Sequence, residues 1–487
     1  MSSMNGATRS YSKKGKEKAE VQLSSIVIYS EQPKIERQPM SSMNGATTSH
    51  SKKGKEKAAV VPEVGLPEVI TFTSRRIKEK MENNEKIRNF DFFSPTRLPY
   101  TIRGICSRNV EPEIVSIGPL YRKKSDHLLR FEEYKWFFLA KFLRRCGRGR
   151  RDLERLLLEM QSLEARTRNF YSDHEGISEM PSQDLIQLML LDGSFLIELL
   201  CYPGRDESLE VPGDLILVRP LLIPVLARDV LRLRNQLPLF VLTSLFGQSK
   251  EKFMKLALEF FNLSWRGPQM SLPSELPDCS HLLELFYWSS VKPLSVNHGD
   301  DRTYAPTHSM QCVRELKSSG IKFMGREEAK TFLNIKYKNR ILQIPATTFD
   351  ELMNTVLINC VALEQSRERH IKYFCNYVSF FSCLISQPRD VSSLSFDGII
   401  SKFSDDDRYI ADFFKDLGRN TQGVRSSYLS DEINNIETYY NSDWASLMRN
   451  HFTNKWKALQ VLVSSLFLVL TFIQVLMSVL SYIHDLK

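Results

Sequence analysis

The chain has 487 residues, 42% hydrophobic and 25% charged, which is enough apolar material for a sizeable core and excludes a wholly disordered polypeptide. A formal charge of +9 invites a nucleic-acid reading, but eleven Lys or Arg against five Glu crowd into Met1–Val60. The remainder carries about +3, too thin a field for a duplex backbone, so no nucleic-acid partner is expected.

Residues 1–73 read as a disordered basic tail. It holds a tandem repeat, since residues 1–19 return as residues 40–58 with only Arg9/Thr48 and Tyr11/His50 changed. So much Ser, Gly and Lys cannot bury a face. Met40 offers a second start site. The KKGKEK clusters read as solvated, with adhesion to anionic lipid as the alternative. No apolar h-region opens the chain, so no signal peptide is expected.

Residues 74–440 read as one mainly helical head. Leu153, Leu156, Leu157, Met160 and Leu163 recur at helical spacing, as do Phe253, Leu256, Ala257, Phe260 and Phe261. Met353, Val356, Leu357, Cys360 and Val361 repeat the pattern, with Thr348 and Glu351 as an expected capping box. Leu333, Ile335 and Tyr337 alternate with polar neighbours and precede the apolar run Ile341–Ile344, which predicts a small β-hairpin turning at Lys338-Asn339-Arg340. Residues 298–308 and 404–407 read as loops. Leu185–Leu200, Leu215–Leu226 and Tyr373–Ile385 are apolar but charged, proline-broken or short, so they read as core. Eight cysteines, Cys106, Cys146, Cys201, Cys279, Cys312, Cys360, Cys375 and Cys383, show no C-x-x-C or zinc spacing and read as reduced core residues.

Residues 441–457 form a juxtamembrane segment, and Ala458–Ile483 runs for 26 residues without a formal charge. As a helix it would reach about 39 Å, against roughly 30 Å of hydrocarbon, so a single transmembrane helix is predicted with the lipid bilayer as its partner. Sixteen of these residues are Leu, Ile, Val or Phe, which outweigh Gln474 and the scattered hydroxyls. Arg449, Lys455 and Lys457 precede the span and Asp485 and Lys487 follow it, predicting a cytosolic head and post-translational insertion. A span this long suits the thicker plasma membrane.

No phosphate loop, nucleophile elbow, H-E-x-x-H or dinucleotide fingerprint is found, so no catalytic residue, cofactor or metal site is assigned. Gly147 and Gly149, in RRCGRGRR, read as a basic turn. Asp192, Glu198 and Glu364 are acidic residues in apolar surroundings. They would serve a hydrolase as general acid and base. The blander reading makes them acceptors fixing helix packing, bonded by Asn235, Gln236 or Gln365, with Asp192-Gly193 as an alternative turn.

Ile114-Val115-Ser116-Ile117-Gly118-Pro119, Phe131-Glu132-Glu133-Tyr134-Lys135, Asp192 to Glu198 and Asn235-Gln236-Leu237-Pro238 stand in an order that resembles the plant family called domain of unknown function 247. Glu315-Leu316-Lys317, Gly320 to Phe323, Ile344-Pro345, Leu363-Glu364-Gln365 and Arg449 with Phe452, Asn454 and Trp456 extend the resemblance over residues 94–483. Tyr121 departs from the family's usual His, Arg234 from Glu and Lys455 from Pro, and Arg234 weakens any chemistry at its site. The resemblance implies a helical plant protein with a C-terminal transmembrane helix and no established enzymatic activity, in a family associated with self-incompatibility loci in grasses. The expectation is therefore a non-enzymatic, membrane-anchored interaction or signalling module with a protein partner; the alternative is a hydrolase-like enzyme.

Overall fold

A computed structural model of the chain describes residues 66–85, 111–122, 125–145, 150–172, 176–204, 222–275, 278–294, 310–366, 371–402, 406–419, 421, 427–452 and 455–485. The duplicated tail, Cys106, residues 146–149 of the basic turn with Cys146, Gly147 and Gly149, residues 215–221, the loop at 298–308 and residues 404–405 lie outside these.

The first half is helical: α1 Glu68–Glu85, α2 Asp126–Arg145, α3 Arg150–Ser162, α4 Glu164–Phe170, α5 Ser182–Leu200, α6 Ile223–Val230, α7 Leu239–Phe246, α8 Lys250–Asn262 and α9 Leu282–Val291. α1 starts before the head boundary expected at residue 74, because Ile70 and Ile77 give it a buried face. The centre is α5, which is buried on every side from Leu185 to Leu200. A helix apolar all round must lie inside, and α1, α2, α3, α7 and α8 surround it. Asp192-Gly193 is thus helix interior rather than a turn. Gly193 stands there because a Cβ at that position would meet Leu245 Cδ1 of α7 at 2.3 Å.

The second half adds α10 Val313–Ser318, β1 Lys322–Arg326, β2 Lys336–Lys338, β3 Ile341–Pro345, β4 Thr347–Phe349, α11 Glu351–Gln365, α12 Tyr373–Leu384, α13 Pro388–Phe396, β5 Ile400–Lys402, α14 Asp407–Arg419 and α15 Ser430–Tyr440. The hairpin is present, and it is tighter than the sequence pattern predicts. β2 and β3 pair antiparallel with Lys338 opposite Ile341, so the turn is the two-residue pair Asn339-Arg340, both at positive φ (53° and 62°). Leu333 and Ile335 are buried ahead of β2. β1 joins β3 in parallel to give the order β1-β3-β2, and β4 pairs in parallel with β5. The expected capping box at Thr348 is absent. Thr348 lies in β4, and Asp350 caps α11 by accepting from Met353 N at 2.9 Å.

The fold is mainly α with a small β element, and one hydrophobic cluster joins both halves. Behind α15 come α16 Asp443–Leu447, a π-helical turn Met448–Phe452 and the 31-residue helix α17 Lys455–Asp485. Within α17, Leu462–Ser481 is long and apolar enough to cross a membrane, and none of it is buried by the rest of the chain.

Candidate functional site

Segment 111–122 makes no sheet, yet its backbone from Glu113 to Gly118 is bonded almost group by group to buried side chains. Asp229 receives Glu113 N (2.7 Å) on one carboxylate oxygen and Ile114 N (2.8 Å) and Val115 N (2.9 Å) on the other. Asn235 accepts from Ile117 N (2.7 Å) and returns its amide to the carbonyls of Val115 and Asp229 (3.0 Å each). Asp192 accepts from Gly118 N at 2.8 Å. Buried peptide groups must find partners, and in this stretch carboxylates and a carboxamide stand where a neighbouring strand would. Gly118 itself sits at φ +73°, and a Cβ there would press on Gln236 O and the Tyr171 hydroxyl at 2.8 Å.

The ammonium of Lys135, 1% exposed, donates to Asp192 (2.7 Å), Glu132 (2.5 Å) and Ser116 O (2.5 Å), which uses all three of its hydrogens. Burial opposes the charged ammonium, but Asp192 and Glu132 outweigh it and raise the Lys135 pKa. For Glu132 the order reverses: burial pushes its carboxyl up, while Lys135 and Ser116 hold it below the ordinary value. Asp192 is raised by burial, with Lys135 opposing. Beside this triad, fully buried Arg232 donates to Asp229 (3.1 Å) and Glu113 (2.6 Å), and Arg228 grips Glu113 through two nitrogens at 2.9 and 2.8 Å. Burial pushes Glu113 up, but the two guanidinium groups bring it below 4.5.

The three carboxylates singled out in the sequence do not converge. Asp192 and Glu198 share α5, but six residues turn the helix by about 240°, so they face different neighbours. Glu198 is buried and accepts from Arg145 Nε, at the end of α2, at 2.7 Å. Glu364 closes α11 and accepts from the Tyr287 hydroxyl (2.8 Å), Phe374 N (3.0 Å) and Cys375 N (2.8 Å). It thereby caps the N-terminus of α12 from another helix, where a negative charge suits the free amides. Burial raises the Glu364 pKa, and it also pushes the Cys360 and Cys375 thiols up, with Glu364 adding to both. The expected donors were Asn235, Gln236 and Gln365; the observed ones for these carboxylates are Lys135, Gly118, Arg145, Tyr287, Phe374 and Cys375. Asn235 instead holds segment 113–118, and Gln236 bonds the carbonyls of Val230 and Arg232 at 2.7 Å.

Among the described residues no group of three His, Cys, Asp or Glu side chains is placed to hold a metal. The described cysteines Cys201, Cys279, Cys312, Cys360, Cys375 and Cys383 are free thiols. Sequence reasoning missed Lys135, Asp229, Arg232 and Glu113. Their signal was available in part, because the four motifs at 114–119, 131–135, 192–198 and 235–238 meet in this one buried node.

Residues 96–470 match the family DUF247, described as plant protein of unknown function. The chain belongs to the DUF247 family. Similar proteins include UPF0481 protein At3g47200 of Arabidopsis thaliana, 27% identical over 80% of this chain and 87% of that protein. Another is UPF0481 protein At3g02645 of the same plant, 21% identical over 76% of this chain and 87% of that protein. No solved structure matches. Within the DUF247 region, the departure at Arg234 falls on an exposed position beside buried Asn235, so it leaves the node intact. Arg449, another motif residue, donates to Tyr440 O at 2.7 Å with its guanidinium 4.0 Å above the Tyr440 ring, fixing the exit from α15.

Proposed function

We propose that this chain is a membrane-anchored, non-catalytic interaction module: a helical head held at the cytosolic face by α17, binding another protein. The observation that carries the reading is the uncovered apolar stretch Leu462–Ser481, which only a lipid or protein environment would shield from water. The asymmetry of charge supports the orientation, with Arg449, Lys455 and Lys457 on the head side. The length of the span favours the plasma membrane.

The buried carboxylates favour a non-catalytic head. Asp192, Glu198 and Glu364 are each occupied by donors from the chain itself, and each does a structural task. A hydrolase would need two of them to face one cleft.

Two measurements test this reading. The full-length chain should stay with membranes through alkaline carbonate, and in intact vesicles external protease should digest the head; release by carbonate or a protected head would overturn the topology. Proximity labelling from the head should return reproducible protein partners, and an empty result would overturn the interaction role.

A further inference from the structure

Apart from Ser465, the amide and short hydroxyl side chains of α17 are arranged on one line. Gln460, Ser464, Thr471, Gln474, Ser478 and Ser481 follow a spacing of four and three residues, with Phe467 in the one gap. At 3.6 residues per turn these positions share an arc of about 100°, and Leu, Ile, Val, Met and Phe fill most of the remaining circumference. A repeat of 3.5 residues is the period at which two helices keep one seam in contact along their length. A shallow open groove runs beside Thr471, Gln474, Val475, Ser478 and Val479, where the short side chains of Thr471 and Ser478 let a second backbone come close.

The hydrogen-bond state of these residues is uneven. The Thr471 hydroxyl donates to Phe467 O at 2.8 Å, and Ser465, off the seam, donates to Leu462 O at 2.9 Å. Gln474 has two donors and an acceptor and no hydrogen-bond partner among the described residues. It lies near the middle of Leu462–Ser481, where hydrocarbon supplies no partner either.

We propose that α17 pairs in parallel with a second copy of itself along this seam, each Gln474 carboxamide bonding its symmetry mate. This rests on the reading that α17 spans the bilayer. Copies of one chain insert in the same direction, so parallel pairing needs no rearrangement, and a two-fold axis places each seam residue opposite itself. Amides and hydroxyls both donate and accept, so self-pairing satisfies them. No charge on the seam calls for an oppositely charged partner, and one central amide sets the register.

The test uses the full-length chain in phosphatidylcholine vesicles, with the unsubstituted chain as the control for its own thiols. Under mild oxidation Ser478→Cys should give a cross-linked dimer above that control, and Leu476→Cys, on the opposite side, should not. Gln474→Leu should weaken energy transfer between labelled copies, lowering the association constant about tenfold, with Gln474→Asn retaining most of it. Protein that resists carbonate yet is monomeric, cross-links equally on both sides, or ignores Gln474→Leu overturns the pairing alone. Protein released by carbonate overturns the anchor and the pairing together.

Discussion

Around segment 113–118 the chain takes charges out of water and gives each one partners: Asp229 has three backbone amides and Arg232, and Lys135 has two carboxylates and a carbonyl. Along α17 the relation is inverted, with apolar surface uncovered and the Gln474 amide without a partner among the described residues. Both regions break the ordinary rule that polar groups face water and apolar groups face the core. The first break is resolved within the chain, so it points to stability. The second is unresolved within the chain, so it points outward, to surroundings the chain was built to meet.

The largest expected effect comes from opening the clamp. Asp229→Ala should cost about 3–5 kcal/mol, because buried Arg232 would lose one of its two counter-charges, keeping only Glu113, and three buried amides would lose their acceptor. The denaturation midpoint of the detergent-solubilised full-length chain reads this directly; a change below 1 kcal/mol would mean that the segment is held by packing alone. Next comes Ile473→Arg, on the apolar side near the centre of α17; with α17 in the bilayer as proposed, the insertion penalty is about 2.5–3.5 kcal/mol. Its carbonate-resistant fraction should fall sharply while Ile473→Leu leaves it unchanged.

A smaller effect separates the clamp's ion pairs from its shape. Glu113 is held below 4.5, so its stabilisation is complete above that value and fades as pH falls through the lower folded-state value. Glu113→Gln should therefore cost about 1 kcal/mol at pH 7, and its difference from the parent chain should shrink on acidification below pH 4.5. A difference that grows in acid would reverse the assigned sign. Smallest is Arg340→Gly, which relieves a positive φ of 62° in the hairpin turn and should raise stability by about 0.5 kcal/mol.

Much of the helical pattern was legible because periodicity is local. Leu153 to Met160 and Phe253 to Phe261 lie on the helices their spacing implies, and the apolar run Leu185–Leu200 is the core helix it resembles. What stayed hidden was partnership across the chain. Asp192 meets Gly118 from 74 positions away, and β4 pairs with β5 over about fifty residues, separations no period encodes. The cap of α11 was misplaced by two residues for a related reason: Thr348 and Glu351 fit a capping box, but pairing with Ser401 pulled Thr348 into a strand and passed the cap to Asp350. The role of Asn235 was hidden too, since a carboxamide gives no sign in sequence of which backbone it will hold.

The raised thiols of Cys360 and Cys375 give the head its own stopwatch. Sealed in the core, they should react with an aqueous thiol reagent only when the surrounding helices part, whereas half-buried Cys201 and Cys383 should react earlier through their greater exposure, although burial raises the Cys383 thiol too. The lag between the two pairs would time the opening of the head without any engineered cysteine.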